Sequence, residues 1–119
     1  MQPNNVPAVD VAAVAGDPAE RDVVLLDVRE PQEWSAGHID GALHVPMAQL
    51  PQQMNHDPGP LTPDASIVVV CKVGGRSAQV TAWLRQQGYD ARNLDGGMLA
   101  WAAARRPMVS EDGGPAHVA

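Results

Sequence analysis

The sequence predicts an α/β fold with a mainly parallel central sheet of about five strands and with helices on both faces. Short apolar runs alternate with helical patterns, and the connections between them are short. Residues 23–26 and 67–70 are continuously apolar, which is typical of parallel strands covered on both faces. With 119 residues and no internal repeat, the chain is expected to form one domain over residues 6–107. We expect flexible termini over residues 1–5 and 108–119.

The first half of the chain contains three predicted strands and three short helical segments. Pro7 cannot donate to a strand ladder, so the first strand is expected at a sheet edge. Asp10 is a suitable N-cap, and Pro51 indicates that the third helical segment restarts or kinks. In order, we predict an edge strand at 6–9, a brief helix at 11–15, a strand at 23–26, a helical turn at 30–34, a short strand at 42–45 and a helix at 47–54.

The second half begins with a loop rich in proline and glycine and then continues the alternation. Val80, Trp83 and Leu84 lie at helical spacing, and Gly88 is a suitable helix stop. We predict a loop at 55–64, a strand at 67–70, a helix at 76–87, a strand at 91–94 and a helix at 98–105. The segment after Pro107 has few apolar groups, which favours a poorly ordered tail.

Composition and charge argue against several classes of function. A net charge of −6 argues against nucleic acid or an anionic membrane as a general partner, and no apolar run is long enough to span a bilayer. Residues 1–5 carry neither a basic nor an apolar signal region. A single cysteine excludes an internal disulfide and favours a reducing cytoplasm. One cysteine and four scattered histidines do not make a zinc site, so we expect no metal and no cofactor.

The strongest functional signal is the segment from Cys71 to Ser77. The only cysteine of the chain follows the apolar run 67–70 and is followed by the only lysine, Lys72. Two glycines then permit a tight turn before a helix begins. Backbone N–H groups in such a turn, together with the helix N-terminus, stabilise an anion or a thiolate. A core cysteine would have apolar residues on both sides, so we expect Cys71 to be a reactive thiol of lowered pKa.

Three segments, in the right order, resemble the signatures of the rhodanese-like (thiosulfate sulfurtransferase) family over roughly residues 6–107. The first segment has two parts, Leu26-Asp27-Val28-Arg29-Glu30 with Glu33-Trp34, and Gly37-His38-Ile39-Asp40-Gly41-Ala42. The second is Cys71 to Ser77, and the third is Leu94-Asp95-Gly96-Gly97 with Ala100-Trp101. We interpret Glu33, Trp34, the Gly-His-Ile turn, the two later glycines and Trp101 as residues that define the fold only.

The resemblance implies a sulfurtransferase whose Cys71 cycles through a persulfide. It implies that a loop of backbone amides cradles the outer sulfur, contributed by Lys72, Val73, Gly74, Gly75, Arg76 and Ser77. Lys72 and Arg76 would offset the charge of a small anionic donor such as thiosulfate, and a thiol, cyanide or a protein would accept the sulfur. Asp27 and Arg29 either support the loop or form an ion pair that is structural only.

Two other functions remain open on the sequence. Phosphatases and arsenate reductases of the same fold use this cysteine on oxyanions, with five residues between the cysteine and the arginine, whereas four intervene here. The shorter loop fits one sulfur atom better than a phosphate. The alternative from another class is a non-enzymatic module for redox sensing or interaction, which an exposed thiol of low pKa permits. The physiological donor and acceptor and the oligomeric state are not indicated.

Overall fold

The computed structural model describes residues 6–119, which contain a five-stranded parallel sheet. The strand order is β1-β5-β4-β2-β3, and all four pairings are parallel. The strands are β1 (Ala8–Val9), β2 (Val24–Asp27), β3 (Leu43–His44), β4 (Ser66–Val70) and β5 (Asp90–Leu94). The predicted fold class is therefore confirmed, as is the edge position of the first strand.

Residues 6–119 also form four α-helices and three 3₁₀ turns. The helices are α1 (Pro31–Ala36), α2 (Leu50–His56), α3 (Gly75–Gln86) and α4 (Gly97–Ala103). The 3₁₀ turns are Val11–Ala13, Pro18–Glu20 and Met47–Gln49. The predicted break near Pro51 is confirmed, because a 3₁₀ turn precedes α2 and proline lies in the first turn of that helix. The turn Pro18–Glu20 was not predicted.

Two apolar cores cover the two faces of the sheet. Alternate residues of β4 point to opposite sides, so that Ile67 and Val69 join the core under α2 and α3, whereas Val68 and Val70 join the core under α4. Leu84 of α3 is completely buried, which contributes about 1.5–3 kcal/mol. The prediction of helices on both faces is confirmed.

The parallel register brings two sequence segments to one edge of the sheet. β2 and β4 pair with Asp27 opposite Val70, and the Val28 N–H donates to the Val70 carbonyl at 3.0 Å. Cys71 follows Val70 directly. The carboxyl ends of parallel strands meet at one edge, where ligand crevices of such sheets lie.

A stack of three aromatic rings joins α1 to β3. The Trp34 indole lies against His38, with 3.5 Å between ring centroids, and against His44, with 4.6 Å. His38 Nδ1 donates to the Trp34 carbonyl at 2.8 Å, so that this turn residue is held by a local hydrogen bond.

The C-terminal segment, residues 108–119, lies against α1 and the turn after it. Val109 and His38 exchange two backbone hydrogen bonds of 2.9 Å, and Trp34 Nε1 donates to the Glu111 carboxylate at 2.7 Å. The His117 N–H donates to the last carbonyl of α1 at 3.0 Å. The composition of this segment predicts a poorly ordered tail and does not indicate these contacts. The other predicted flexible terminus, 1–5, lies outside the described residues.

Candidate active site

The candidate site is the turn between β4 and α3. Cys71 follows β4 with a side chain that is only 1% exposed, and α3 begins at Gly75. Gly74, the N-cap of α3, has φ +114°. This left-handed backbone conformation is rare for residues other than glycine. The backbone conformation of the turn therefore explains why the first residue of the glycine pair is glycine.

The first amides of α4 hold the carbonyls of this turn. Met98 N–H donates to the Cys71 carbonyl at 2.9 Å, and Leu99 N–H donates to the Lys72 carbonyl at 3.0 Å. Gly97 makes this approach possible, since a Cβ there would overlap the Cys71 carbonyl and lie 2.7 Å from that of Lys72. The interpretation of Gly97 as a turn residue only was thus incomplete, because the residue also sets how closely α4 approaches the loop.

Two donors point at the Cys71 sulfur. The Gly74 N–H lies 3.1 Å from Sγ and the Ser77 hydroxyl 3.2 Å from it. Burial by itself raises the pKa of the Cys71 thiol, but hydrogen bonds from the Ser77 hydroxyl and from the amides of Ser77, Gly74 and Val73 outweigh it. The net result is a lowered pKa. The loop therefore favours a thiolate.

Asn93 of β5 fixes both of these donors. Its Nδ2 donates to the Gly74 carbonyl at 3.1 Å, and its Oδ1 lies 2.5 Å from the Ser77 hydroxyl oxygen, so that Oδ1 and the Cys71 sulfur share the single Ser77 hydroxyl hydrogen. From the sequence, Asn93 lies in a predicted strand and has no predicted role. Asn93 could have been found from its position. It is a polar residue next to the carboxyl end of β5, and β5 ends at the same edge of the sheet as Cys71. The structure shows it 8% exposed with both ends of its amide hydrogen-bonded.

Arg76 of the loop is paired with Glu33 of α1. Its two terminal nitrogens donate to the two carboxylate oxygens at 2.7 and 2.9 Å. The hydrogen bonds from Arg76 lower the pKa of Glu33 to about 2, and Glu33 in turn raises the pKa of Arg76. Glu33 also accepts from the Glu30 N–H at 3.0 Å, as in a capping box. Glu33 was interpreted as defining the fold only; the structure adds a direct contact with the loop.

Asp27 and Arg29 form a buried ion pair behind α1. Arg29 Nη2 donates to Asp27 Oδ2 at 2.8 Å and also to the Gly37 carbonyl at 2.8 Å. Arg29 Nη1 donates to the Glu33 carbonyl at 3.3 Å. Within residues 6–119 neither side chain hydrogen-bonds to the loop 71–77. The pair therefore contacts α1, and α1 contacts the loop through Glu33.

The loop and the first turn of α4 carry one cation and two exposed apolar residues. In the described part of the chain, the Lys72 ammonium forms no ion pair with a carboxylate. Val73 is 60% exposed and Leu99 is 45% exposed. No group of three or more histidine, cysteine or acidic side chains suited to a metal ion occurs among residues 6–119.

Comparison with known proteins agrees with this arrangement. The model of the rhodanese-like domain matches residues 10–104. The chain is 42% identical over 93 residues to a sulfurtransferase of Allochromatium vinosum, covering 77% of this chain and 83% of that protein. It is 36% identical to a putative sulfurtransferase of Bacillus subtilis, covering 75% and 82%.

Among solved structures, the rhodanese-like domain of an Anabaena protein superposes with a TM-score of 0.76 at 26% identity. The match covers 95% of this chain and 87% of that chain. The chain belongs to the rhodanese-like family, so the resemblance seen in the three sequence segments is confirmed. At the level of the family it is a sulfurtransferase.

Proposed function

We propose that this protein moves a sulfane sulfur from thiosulfate or a persulfide donor to a thiophilic acceptor through a persulfide on Cys71. The observation that carries the proposal is the position of Sγ at the end of β4, where it accepts hydrogen bonds from the Gly74 N–H and the Ser77 hydroxyl. These hydrogen bonds lower the pKa of the Cys71 thiol and so favour the thiolate, which is the nucleophile.

The reaction needs two displacements at sulfur. The Cys71 thiolate attacks the sulfane sulfur of the donor, a new S–S bond forms at Sγ, and the donor S–S bond breaks. With thiosulfate, sulfite leaves with the electron pair. The acceptor then attacks the outer sulfur, the bond to Sγ breaks, and the Cys71 thiolate returns. No external oxidant or reductant is consumed, because the sulfur carries its oxidation state from donor to acceptor.

Each part of the loop has a defined role in this cycle. The backbone amides from Lys72 to Ser77 would stabilise the outer sulfur of the persulfide, which carries negative charge. Lys72 would offset the charge of an anionic donor. Asp27 and Arg29 act as positioning residues, since their contacts reach the loop through Glu33. No cofactor takes part.

The donor is a small molecule that carries a sulfane sulfur, and a thiol, cyanide or a protein accepts the sulfur. Neither nucleic acid nor a membrane is part of the proposed cycle. No helix among residues 6–119 combines the length and the apolar character needed to cross a bilayer. A lone thiol that must be regenerated in reduced form after each turnover suits the cytoplasm.

The oxyanion chemistry of related folds is disfavoured by the length of the loop. Four residues separate Cys71 from Arg76. Both terminal nitrogens of the Arg76 guanidinium already donate to the Glu33 carboxylate. An arginine so engaged is not free to bind two phosphate oxygens. We expect no appreciable turnover of an aryl phosphate, and robust turnover would overturn the assignment to sulfur transfer.

Intact-mass measurement after incubation with a sulfur donor tests the proposal. The protein should gain one sulfur atom, and cyanide should remove it with release of thiocyanate. Cys71→Ser is the control: it should gain no sulfur and transfer none, while its circular dichroism spectrum is unchanged. Retention of transfer by Cys71→Ser would remove Cys71 from the mechanism, and failure of the wild-type protein to load from any donor would reject the function.

A further inference from the structure

The hydroxyl of Ser77 has two acceptors within reach and a single hydrogen to give. Its oxygen lies 3.2 Å from the Cys71 sulfur and 2.5 Å from Oδ1 of Asn93. A hydroxyl donates one hydrogen bond, so it cannot satisfy both acceptors fully at the same time. A rotation of the hydroxyl about its C–O bond moves the hydrogen from one acceptor to the other, and no heavy atom has to shift.

Burial gives this competition a cost. Ser77 is 0% exposed, Cys71 is 1% exposed and Asn93 is 8% exposed, so water has little access to the three groups. A buried polar group that lacks its hydrogen-bond partner is costly, because it has also lost its contact with water. The hydroxyl therefore has to bond to one of these two acceptors at each stage of a reaction at the sulfur.

Asn93 has anchors that do not depend on the sulfur. Its Nδ2 donates to the Gly74 carbonyl at 3.1 Å, and β5 is paired with β4 along the sheet. We expect these contacts to keep Oδ1 beside Ser77 when the charge on the sulfur changes. The Gly74 carbonyl also accepts from the Ala78 N–H at 3.0 Å, so it keeps a partner when residue 93 is changed.

The better of the two acceptors changes during sulfur transfer. The Cys71 thiolate is a charged acceptor, and hydrogen bonds to a charged group are roughly twice as strong as neutral ones. In a persulfide the negative charge lies on the outer sulfur, and Sγ becomes a neutral divalent sulfur, which is a weak acceptor. The Ser77 hydroxyl is then better bonded to the amide oxygen of Asn93.

Building on the proposed function, we propose that Asn93 is a positioning residue of the transfer, which acts through the Ser77 hydroxyl and stabilises the persulfide relative to the free thiolate. When the new S–S bond forms at Sγ, the charge passes to the outer sulfur and the hydroxyl hydrogen turns to Asn93. When the acceptor breaks that bond, the electron pair returns to Sγ and the hydrogen turns back. The hydroxyl keeps its proton in both steps.

The test makes two measurements on matched variants. Intact mass at a fixed ratio of thiosulfate to sulfite gives the equilibrium constant for loading, and the pH dependence of alkylation by iodoacetamide gives the pKa of the Cys71 thiol. Asn93→Leu removes the acceptor at similar size, and Ser77→Ala provides a background without the hydroxyl. Thr81→Val is the control, since it removes another completely buried hydroxyl, which donates to the Ser77 carbonyl.

The charged surroundings of the sulfur are the same in these variants. They comprise Lys72 and Arg76 of the loop, Glu33 of α1 and Asp27 of β2. α4 has no charged residue, and the two charged residues of β5 are paired with each other. A shift in the pKa of the thiol therefore reports on the hydrogen bond and not on an altered charge.

We expect Asn93→Leu to lower the equilibrium constant for loading by about twofold to tenfold, the size of one hydrogen bond. The same variant should lower the pKa of the Cys71 thiol, because the hydroxyl is then free to bond to the thiolate. In the Ser77→Ala background it should produce neither decrease, since no hydroxyl is left to share. Thr81→Val should leave both quantities at their wild-type values.

The outcomes separate this inference from the proposed function. If the wild-type protein gains no sulfur, the proposed function fails. If it loads but Asn93→Leu changes both quantities no more than Thr81→Val does, or equally with and without Ser77, the inference fails and the proposed function stands.

A second variant keeps the test open should Asn93→Leu not fold. Asn93→Asp retains an oxygen for the Ser77 hydroxyl and adds a negative charge, so it should raise the pKa of the Cys71 thiol. The rise should be larger with Ser77 present than in Ser77→Ala, where only the charge acts. An equal rise in the two backgrounds would overturn the inference.

Discussion

Two arginine–carboxylate pairs lie near the same end of the sheet in opposite surroundings. Arg29 and Asp27 are 0% and 1% exposed, whereas Arg76 and Glu33 are 37% and 15% exposed. Arg29 and Asp27 share three side-chain hydrogen bonds, and Arg76 and Glu33 share two. Loss of one member of a buried pair leaves an uncompensated charge, while an exposed pair adds little stability. We therefore expect the first pair to matter more for stability than the second, which joins α1 to the loop.

Arg29→Met tests the structural half of this comparison and should have the largest effect. It leaves Asp27 buried without its partner and frees the Gly37 carbonyl, so the free energy of unfolding should fall by about 3–5 kcal/mol. Urea denaturation at neutral pH measures the loss.

The double variant Asp27→Leu/Arg29→Met should recover much of that stability, because no isolated charge remains. As a control, Arg92→Ala removes an arginine that is 42% exposed in its pair with Asp90 and should cost less than about 1 kcal/mol. Equal losses in Arg29→Met and Arg92→Ala would contradict the structural role of the buried pair.

Ser77→Ala tests whether hydrogen bonds, rather than the cations of the loop, favour the thiolate. The variant removes one of the two hydrogen bonds to Sγ and should therefore raise the pKa of the Cys71 thiol. The pH dependence of thiolate absorbance or of alkylation by iodoacetamide measures the change.

Thr81→Val is the matched control, since the Thr81 hydroxyl donates to the Ser77 carbonyl at 2.7 Å and not to the sulfur. It should leave the pKa of Cys71 where it is in the wild-type protein. An unchanged pKa in Ser77→Ala would mean that the hydroxyl is directed at Asn93 throughout.

Lys72→Ala removes the basic side chain of the loop that forms no ion pair among residues 6–119. It should raise the KM for thiosulfate by about twofold to fivefold. It should raise the KM for an organic persulfide that carries no further charge by a smaller factor. Steady-state transfer to cyanide with each donor gives both constants. An equal rise with both donors would show that Lys72 does not recognise the charge of the donor.

The pH dependence of the exposed pair should give the smallest effect. The pKa of Glu33 is lowered to about 2 in the folded protein, so its contribution to stability is present above the ordinary glutamate pKa and is lost as the pH falls toward 2. The difference in free energy of unfolding between wild type and Glu33→Gln should therefore shrink between about pH 4.5 and about pH 2. A difference that grows toward acid pH would contradict the pairing.

Features that are contiguous in the sequence could be predicted, and features that join distant segments could not. The strand 67–70, Cys71 and the turn after it are one short stretch, so local patterns place the thiol at a strand end. The contact of Arg76 with Glu33 spans 43 residues and depends on where α1 lies on the sheet. Asn93 reaches Ser77 across 16 residues because β5 pairs with β4, which no local pattern reports. Similarly, the composition of the C-terminal segment gives no sign of the backbone bridge between Val109 and His38.

Because α4 approaches the loop closely at Gly97, two backbone amides of α4 can report on the opening of the loop. The Met98 and Leu99 amides of α4 are bonded to the Cys71 and Lys72 carbonyls, so these two hydrogens exchange with solvent only when the loop and α4 separate. Deuterium uptake at Met98 and Leu99 therefore measures how often the loop opens, and it does so without a label on the thiol. Formation of a persulfide that tightens the loop would slow exchange at both positions together.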